Sequence, residues 1–356
     1  MNHLQTTNFK TMKRVLFLFL GILCLADNLF SQSDPMNCCS MNNMDMNSVL
    51  EGPQHKAGML MFTYSYMNSL MQNNYSGTTK VNDQYIFDRY LMSPENMQMD
   101  MHMLSGMYGV SDRFSLMVML NYNYMSMNMK MLSGQMNMSG MSSSMSMKST
   151  SQGLGDTKIS GQYNLISANR QFLSAVFGLS LPTGSIYKTD KENLEFYGDR
   201  QVYMMQTGSG TFDLAPGLTY LYRPDKYLLG AQLTTVIHPY YNRQGYKLGN
   251  EFSVNSWAAY EWINNTSFSF RLNYNLTGPI KGFDNSISAP LEPAADPKNY
   301  GGSFLKGYIG LAHSFQNGFF RNQKVAAEFG IPLYQNFNGI QSATSYNLMI
   351  SWTLNI

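Results

Sequence analysis

Strict alternation of apolar and polar residues, repeated along the second half of the chain, is the feature that most restricts its fold. Between 267 and 276, serine, arginine and asparagine alternate with phenylalanine, leucine and tyrosine. Successive side chains of a β-strand point to opposite faces, so the pattern predicts strands with one apolar and one polar face. The chain ends on the same pattern, whose apolar positions are Leu348, Ile350, Trp352, Leu354 and Ile356.

The composition indicates which environment the apolar faces meet. Charged residues make up 13% of the 356 residues and aromatic residues another 13%, whereas about a quarter of a typical soluble domain is charged. After the N-terminus, no apolar run reaches the roughly 20 residues that a membrane helix needs. The formal net charge of +2 provides no field that would attract nucleic acid. A transmembrane β-barrel fits these properties, because its strands turn apolar residues to lipid and polar residues to the lumen.

Twelve alternating segments are predicted to form an all-β, antiparallel up-and-down barrel. The connections between them alternate between short ones, such as 264–265, and longer ones, such as 279–301. Bacterial outer-membrane barrels have short periplasmic turns and long outer loops, and an even strand number leaves both termini on the short-turn side. The predicted strands are 58–67, 98–109, 113–127, 155–166, 171–182, 210–223, 226–239, 250–263, 266–278, 302–315, 322–334 and 344–356.

The N-terminus is predicted to be an export signal. Lys10, Lys13 and Arg14 supply the positive charge that precedes the apolar stretch of such signals. The apolar stretch itself, 15–25, is too short to span a bilayer. We therefore predict that residues 1–32 are a signal peptide that is cleaved on export to the outer membrane.

The remaining chain is predicted to have two parts. Residues 33–55 form a Met/Cys/Asn-rich periplasmic segment, and residues 56–356 form the barrel. The segment contains the adjacent Cys38 and Cys39. Because a disulfide between neighbours is strained and cannot cross-link a large fold, a thiol pair and a pair of metal ligands both stay open.

Five segments of the barrel region carry a resemblance to a known family. They are YGVSDRFSL (108–116), GLGDTKISGQYNL (153–165), FGLSLPTGS (177–185), GTFDLAPGLTYLYR (210–223) and PLYQNFNGIQ (332–341). In this order they resemble the outer-membrane family named for the meta-pathway of phenol degradation. The resemblance spans most of 98–356 and implies a barrel with a role in moving small molecules. It implies no catalytic residues, and methionine enrichment is not part of the family pattern.

Methionine is concentrated in the first half of the chain. Of the 30 methionines, 25 lie between Met36 and Met147, many of them at M-x-M spacing. Thioether sulfur is a soft, neutral ligand that prefers Cu(I), and by extension Ag(I), to hard cations. On an extended chain, M-x-M places both side chains on one side, about 7 Å apart. The enrichment therefore predicts a soft-metal site.

The predicted ligands combine strand and loop positions. On the strand 113–127, alternation turns the aromatic and aliphatic residues to lipid and the methionines to the lumen. The strand 98–109 leaves open whether its methionines or its polar residues face inward. The predicted ligand set is Met97, Met99, Met101, His102, Met103, Met117, Met119, Met125, Met127, Met129, Met131, Met136, Met138, Met141, Met145 and Met147.

Two explanations without metal compete with this prediction. Methionine is a flexible apolar filler, which suits Met59, Met61 and Met107. It does not suit 134–151, where methionines lie among serine, glycine and asparagine with no core to fill. Methionine can also serve as an oxidation sink, or its abundance can be compositional drift.

We expect an outer-membrane channel or binding protein that handles copper or another soft metal ion through methionine-rich loops near 67–97 and 128–153. The alternative is passive uptake of small organic or aromatic molecules, with incidental methionines. A closed barrel with a structural role is a third possibility. No nucleophile or phosphate-binding motif predicts an enzyme, and Cu(I) or Ag(I) is expected only as cargo. The expected partners are outer-membrane lipid, lipopolysaccharide, the barrel-assembly machinery and a metal or small-molecule cargo, without nucleic acid.

Overall fold

The structure is a computed structural model that describes residues 56–131, 145–190 and 200–356. The predicted signal peptide and the segment 33–55, with Cys38 and Cys39, lie outside the described residues. None of the helices in the described part of the chain is long and apolar enough to cross a membrane. The strands are β1 (Leu60–Gly77), β2 (Thr79–Val81), β3 (Met92–Gly109), β4 (Phe114–Met131), β5 (Met145–Leu154), β6 (Thr157–Ala168), β7 (Gln171–Leu181), β8 (Asp213–Tyr222), β9 (Tyr227–Val236), β10 (Tyr246–Lys247), β11 (Glu251–Ile263), β12 (Thr266–Thr277), β13 (Lys281–Gly282), β14 (Gly302–Phe315) and β15 (Gln323–Asn355).

Short helical segments interrupt the long connections. Within the described ranges, the α-helix α1 covers Asp83–Phe87 between β2 and β3. The side chain of Asn82 caps it by accepting a hydrogen bond from the amide of Tyr85 at 3.0 Å, as helix N-caps commonly do. The 3-10 turns are Tyr203–Met205, Pro293–Ala295 and Pro297–Asn299.

Antiparallel pairing closes the strands into a ring. β5 and β6 both pair with β4, so together they form one interrupted pass across the wall. β15 pairs with β14 as far as Phe337, and from there to its end it pairs with β1. The amide of Asn355 donates to the carbonyl of Asn322 at 3.0 Å, so the two parts of β15 lie side by side. With β15 counted twice and β2, β10 and β13 outside the ring, the wall has the predicted twelve antiparallel passes.

The connections alternate in length as predicted. β6 and β7 are joined by the two-residue turn Asn169–Arg170, whose φ angles of 52° and 64° are those of a tight hairpin turn. At the other end of the barrel, 182–212 and 278–301 form long connections. Leu60 and Ile356 exchange backbone hydrogen bonds of 2.8 and 3.1 Å, so both described ends lie on the short-turn side.

The two faces of the wall have the predicted character. On β12, Phe268 and Phe270 point outward and are about half exposed, whereas Ser269 and Arg271 point inward and are buried. The same alternation holds on the other long strands, whose outward residues are mostly leucine, isoleucine, phenylalanine and tyrosine. An apolar belt around the outside, with a polar interior, is the arrangement of a barrel in lipid.

The outer face of β3 and β4 changes character toward the long-connection end. Leu104 and Leu120 lie opposite each other in the apolar belt. Further along, Asp100 accepts a hydrogen bond of 2.5 Å from the hydroxyl of Tyr66, and Gln98 is exposed. Because tyrosines gather where lipid meets water, we infer that β3 and β4 extend past the lipid interface at this level.

The methionine-rich segments form more strand than predicted. Loops were expected near 67–97 and 128–153, but β1 continues to Gly77, β3 begins at Met92 and β4 reaches Met131. The physical reason at the end of β4 is that Met125, Met127, Met129 and Met131 alternate with serine, asparagine and lysine. This alternation has the same period of two as the rest of the wall, so β4 continues with methionine on its inward face.

Residues of three long connections, 182–212, 237–250 and 278–301, fold inward at the long-connection end of the barrel. The ring of Tyr203 packs edge-to-face against Tyr246, with 4.8 Å between ring centroids, and against Tyr300, at 5.7 Å. Burial raises the pKa of Tyr203 to about 12, so its hydroxyl stays protonated and neutral at physiological pH. These tyrosines belong to the same apolar core as the inward-facing methionines, so the connections are packed onto the wall.

Cysteine labelling of intact cells tests the orientation of the barrel. In a background with Cys38→Ser and Cys39→Ser, we expect a cysteine at Asn285, in the long connection 278–301, to react with a membrane-impermeant maleimide. A cysteine at Asn265, in a short turn, should react only after the outer membrane is permeabilised. Labelling of Asn265 alone on intact cells would show that the short turns face outward.

Candidate functional site

Inward-facing methionines cover one side of the barrel, on β1, β3, β4 and β5. We call this surface the methionine wall. On β4, the methionines face inward as predicted, and on β3 the methionines rather than the polar residues do so. All but one of its members are less than a tenth exposed, and Met71 is partly buried. The methionine wall consists of Met67, Met71, Met97, Met99, Met101, Met103, Met119, Met125, Met127, Met129, Met131 and Met147.

Strand pairing aligns the wall into rows that run across four strands. Directly opposite residues of antiparallel strands have their Cβ atoms about 4.5–5.5 Å apart. We call the four methionines at the centre of two neighbouring rows, Met97, Met99, Met125 and Met127, the central array. In the order β1, β3, β4 and β5, the two rows are Met71–Met97–Met127–Ser149 and Ser69–Met99–Met125–Ser151.

His102 does not join the predicted methionine ligands. It points to the outer face of β3, where its Nδ1 lies 2.8 Å from the hydroxyl of Tyr64. Its neighbours Met101 and Met103 point inward and are buried. The alternation of β3 therefore separates the histidine from the methionines, and the prediction that it shares their site was wrong in this respect.

The loop ligands lie largely beyond what the structure describes. Met136, Met138 and Met141 lie outside the described residues, and only the backbone of Met145 is described, at the start of β5. Met117 faces inward and is partly exposed, in the same row as Met61 and Met107. The buried methionines of the predicted set therefore all belong to the methionine wall, which also contains Met67 and Met71 from outside that set.

A cavity of about 110 Å³ lies beside the methionine wall. Met67, Met71 and Met99 line one side of it, together with Met349 of β15. The inward-folded connections contribute Met204, Pro293, Ala294, Asn299 and Tyr300. The cavity is therefore bounded by two parts of the chain that are far apart in sequence.

Polar side chains form another part of the cavity lining. The guanidinium of Arg271 donates two hydrogen bonds to the carboxylate of Glu328, at 2.9 and 2.5 Å, and a third to Asn255 at 3.1 Å. It also lies 3.8 Å from the ring centroid of Tyr308. That ring lies against Gly330, where a Cβ would come within 2.2 Å of it, so a residue without a side chain is needed there.

A second polar cluster anchors the connection 182–212 to the rim. Asp156 accepts hydrogen bonds from the amides of Gly184 and Ser209, both at 2.8 Å, and from the hydroxyl of Ser209 at 2.9 Å. The same hydroxyl lies 2.8 Å from Asp213, which is also 2.8 Å from Nδ1 of His238. Ser209 is thus bonded to carboxylates and to its own loop, as in a structural anchor, whereas an activated nucleophile would bond to the histidine.

Sequence reasoning missed several cavity residues. Alternation places Arg271 and Glu328 on the inner face, but they are 57 positions apart, and only the pairing of β14 with both β12 and β15 brings them together. Met67, Met71 and Met349 were also absent from the predicted set. An inward-facing M-x-x-x-M pattern on β1 was the available signal for the first two of them.

The comparison with solved structures supports the fold. No family model matches the chain, and no curated protein is significantly similar to it in sequence. A crystal structure of an outer-membrane channel from Pseudomonas putida F1 is 13% identical, with a TM-score of 0.57, over 84% of this chain and 96% of that one.

Two further solved structures are more distant. The transport unit of the autotransporter AIDA-I from Escherichia coli is 12% identical, with a TM-score of 0.46, over 89% of this chain and 94% of that one. The Pseudomonas putida toluene transporter TodX is 9% identical, with a TM-score of 0.40, over 90% and 95%. At these identities the likeness concerns the fold alone. The chain therefore has the transmembrane β-barrel fold that the channel from Pseudomonas putida F1 also has, and the family suggested by its motifs stays a prediction.

Proposed function

We propose that the protein is an outer-membrane channel or binding protein, and that its cargo is a small, largely apolar organic molecule. The observation that carries this proposal is the cavity between the methionine wall and the inward-folded connections. The barrel fold shared with the channel from Pseudomonas putida F1 supports a location in the outer membrane. Lipopolysaccharide and the barrel-assembly machinery are then its expected partners, and no catalytic role is proposed.

The lining of the cavity suggests the chemistry of the cargo. Phe304, Phe337 and Ile340 add apolar surface to that of the methionines. Arg271 and Lys306 supply positive charge on the polar side, where Glu328 is the negative group among the lining residues. Ligand sites typically combine apolar walls with a few polar groups that orient the ligand. A molecule with an apolar body and one polar or anionic group fits this lining.

A cavity-filling substitution tests the proposal. Ala294→Trp places a large side chain into the cavity from one of the inward-folded connections. We expect it to reduce the uptake of radiolabelled benzoate or toluene at micromolar concentration by cells that depend on this protein. Ala289→Trp is the matched control, because Ala289 is exposed on the same connection and does not line the cavity. Equal uptake by the parent, both variants and a deletion strain would refute the proposal.

Handling of copper or silver is a second candidate function. The specific observation in its favour is that the methionines of four neighbouring strands face the same interior surface. The fold comparison does not favour it over an organic cargo. Transport of metal across the membrane would require more than a binding site, since the ion would also have to leave the wall.

A further inference from the structure

We propose that the central array binds a single Cu(I) or Ag(I) ion through the thioether sulfurs of Met97, Met99, Met125 and Met127. The inference concerns a binding site and is independent of whether the barrel carries organic molecules. It rests on the arrangement of the side chains, on their neutral surroundings and on two neighbouring oxygen atoms.

The array has dimensions that suit a shared ion. Met97 lies directly opposite Met127, and Met99 lies directly opposite Met125. The four Cβ atoms therefore outline a rectangle of about 5 by 7 Å. Its centre is within reach of four unbranched side chains with three rotatable bonds each. Thioethers from two strands can thus turn toward one ion without a change in the backbone.

The surroundings favour a monovalent, soft ion. The four side chains are only 1–2% exposed, and their row neighbours are serine and methionine. Among the described residues, no group of three or more histidine, cysteine, aspartate or glutamate side chains is placed to hold a metal ion. The desolvation free energy of an ion rises with the square of its charge. Burial therefore costs about four times as much for a dication as for a monocation of similar size. Neutral thioethers do not offset that difference, and their softness selects Cu(I) and Ag(I).

Two buried oxygen atoms near the array have no hydrogen-bond partner among the described residues. One is Oγ of Ser151, which lies directly opposite Met125. The other is Oε1 of Gln201, whose Nε2 donates to Oγ of Ser149 at 3.0 Å, next to Met127. Buried polar atoms normally find a partner. A cation held by the sulfurs would give both oxygens a favourable contact, which an apolar core does not.

The cavity gives an ion access to the array. Met71 and Met99 line the cavity, and each lies in one of the two central rows. An ion that enters the cavity therefore meets the edge of the array first. The packed interior of the wall needs only side-chain rotations to admit it, which methionine allows more readily than branched residues.

Packing alone is the competing explanation, and leucine substitution separates the two. The array variant carries Met97→Leu, Met99→Leu, Met125→Leu and Met127→Leu. Leucine keeps apolar volume at small cost in stability but removes the sulfur. The control variant carries Met61→Leu, Met103→Leu, Met107→Leu and Met119→Leu, which are also buried and inward but form one cross-strand pair, Met61 with Met107, in place of two. Heat-modifiable migration on gels confirms that each variant is folded.

Titration of the full-length protein with Ag(I) by calorimetry is the measurement. We expect the array variant to bind about one Ag(I) equivalent fewer than the parent, and the control variant to bind as many as the parent. The parent should keep this additional equivalent of Ag(I) at pH 5, because thioethers carry no proton. Zn(II) should not displace it. Equal stoichiometry of parent and array variant would overturn the proposal. Equal losses in both variants would overturn its assignment to the central array. A change in benzoate uptake bears only on the organic cargo.

Discussion

Replacing Glu328 with alanine should lower the free energy of unfolding by about 3–5 kcal/mol, because the change leaves the buried guanidinium of Arg271 without its counter-charge. The two side chains are 11% and 2% exposed and are joined by two hydrogen bonds. Denaturant unfolding in detergent micelles, followed by tryptophan fluorescence, gives the value. An unfolding midpoint equal to that of the parent would show that the pair does not stabilise the interior.

Two further variants separate charge from packing. The double variant Arg271→Met, Glu328→Leu removes both charges and keeps apolar volume, so it should lose far less stability than Glu328→Ala. Glu328→Gln keeps an oxygen acceptor for Arg271 but removes the charge, and we expect an intermediate loss. If the double variant is as unstable as Glu328→Ala, the stability of the barrel depends on the shape of the two side chains rather than on their charge pairing.

Leu104→Arg should lower barrel stability by about 2–4 kcal/mol, because it places a charge on the lipid face near the middle of the apolar belt. Leu104 is 54% exposed on the outside of β3, opposite Leu120. The measurement is the temperature at which the folded band is lost on gels after reconstitution into lipid vesicles.

The control for this change lies on the same strand. Gln98 is exposed on the same face of β3, beyond Asp100 and the neighbouring tyrosines. If β3 extends past the lipid interface there, Gln98→Arg should have almost no effect. Equal losses at both positions would contradict the inferred interface, and a tolerated Leu104→Arg would show that this face does not contact lipid.

The sequence predicted the wall of the barrel well because a single physical rule governs it. Each long strand must turn one face to lipid, so period-two alternation marks strand and orientation together. β12 and the end of β15 were recognised from this alternation alone, and a short connection was predicted at 167–170, where the structure has the two-residue turn Asn169–Arg170. The same rule was applied too narrowly to the methionine-rich segments. There, loops were expected where β1, β3 and β4 in fact continue.

The candidate site was predicted only in part. The inward orientation of Met119, Met125 and Met127 followed from the apolar face of β4. Alternation could not decide the orientation of β3. Either its methionines or the polar residues between these methionines could have faced the lumen. Pairing with β1 and β4 decides it, and it turns His102 outward.

The sequence by itself determined the fold class, the twelve passes of the wall and the concentration of thioethers in its first half. These are local properties, since each depends on residues close together in the chain. Only the tertiary structure decided which side chains meet. The closure of β15 onto β1 places Met349 beside Met67, and the inward-folded connections complete the cavity. Strand register aligns the central array, because a shift of one residue would turn every methionine to the other face.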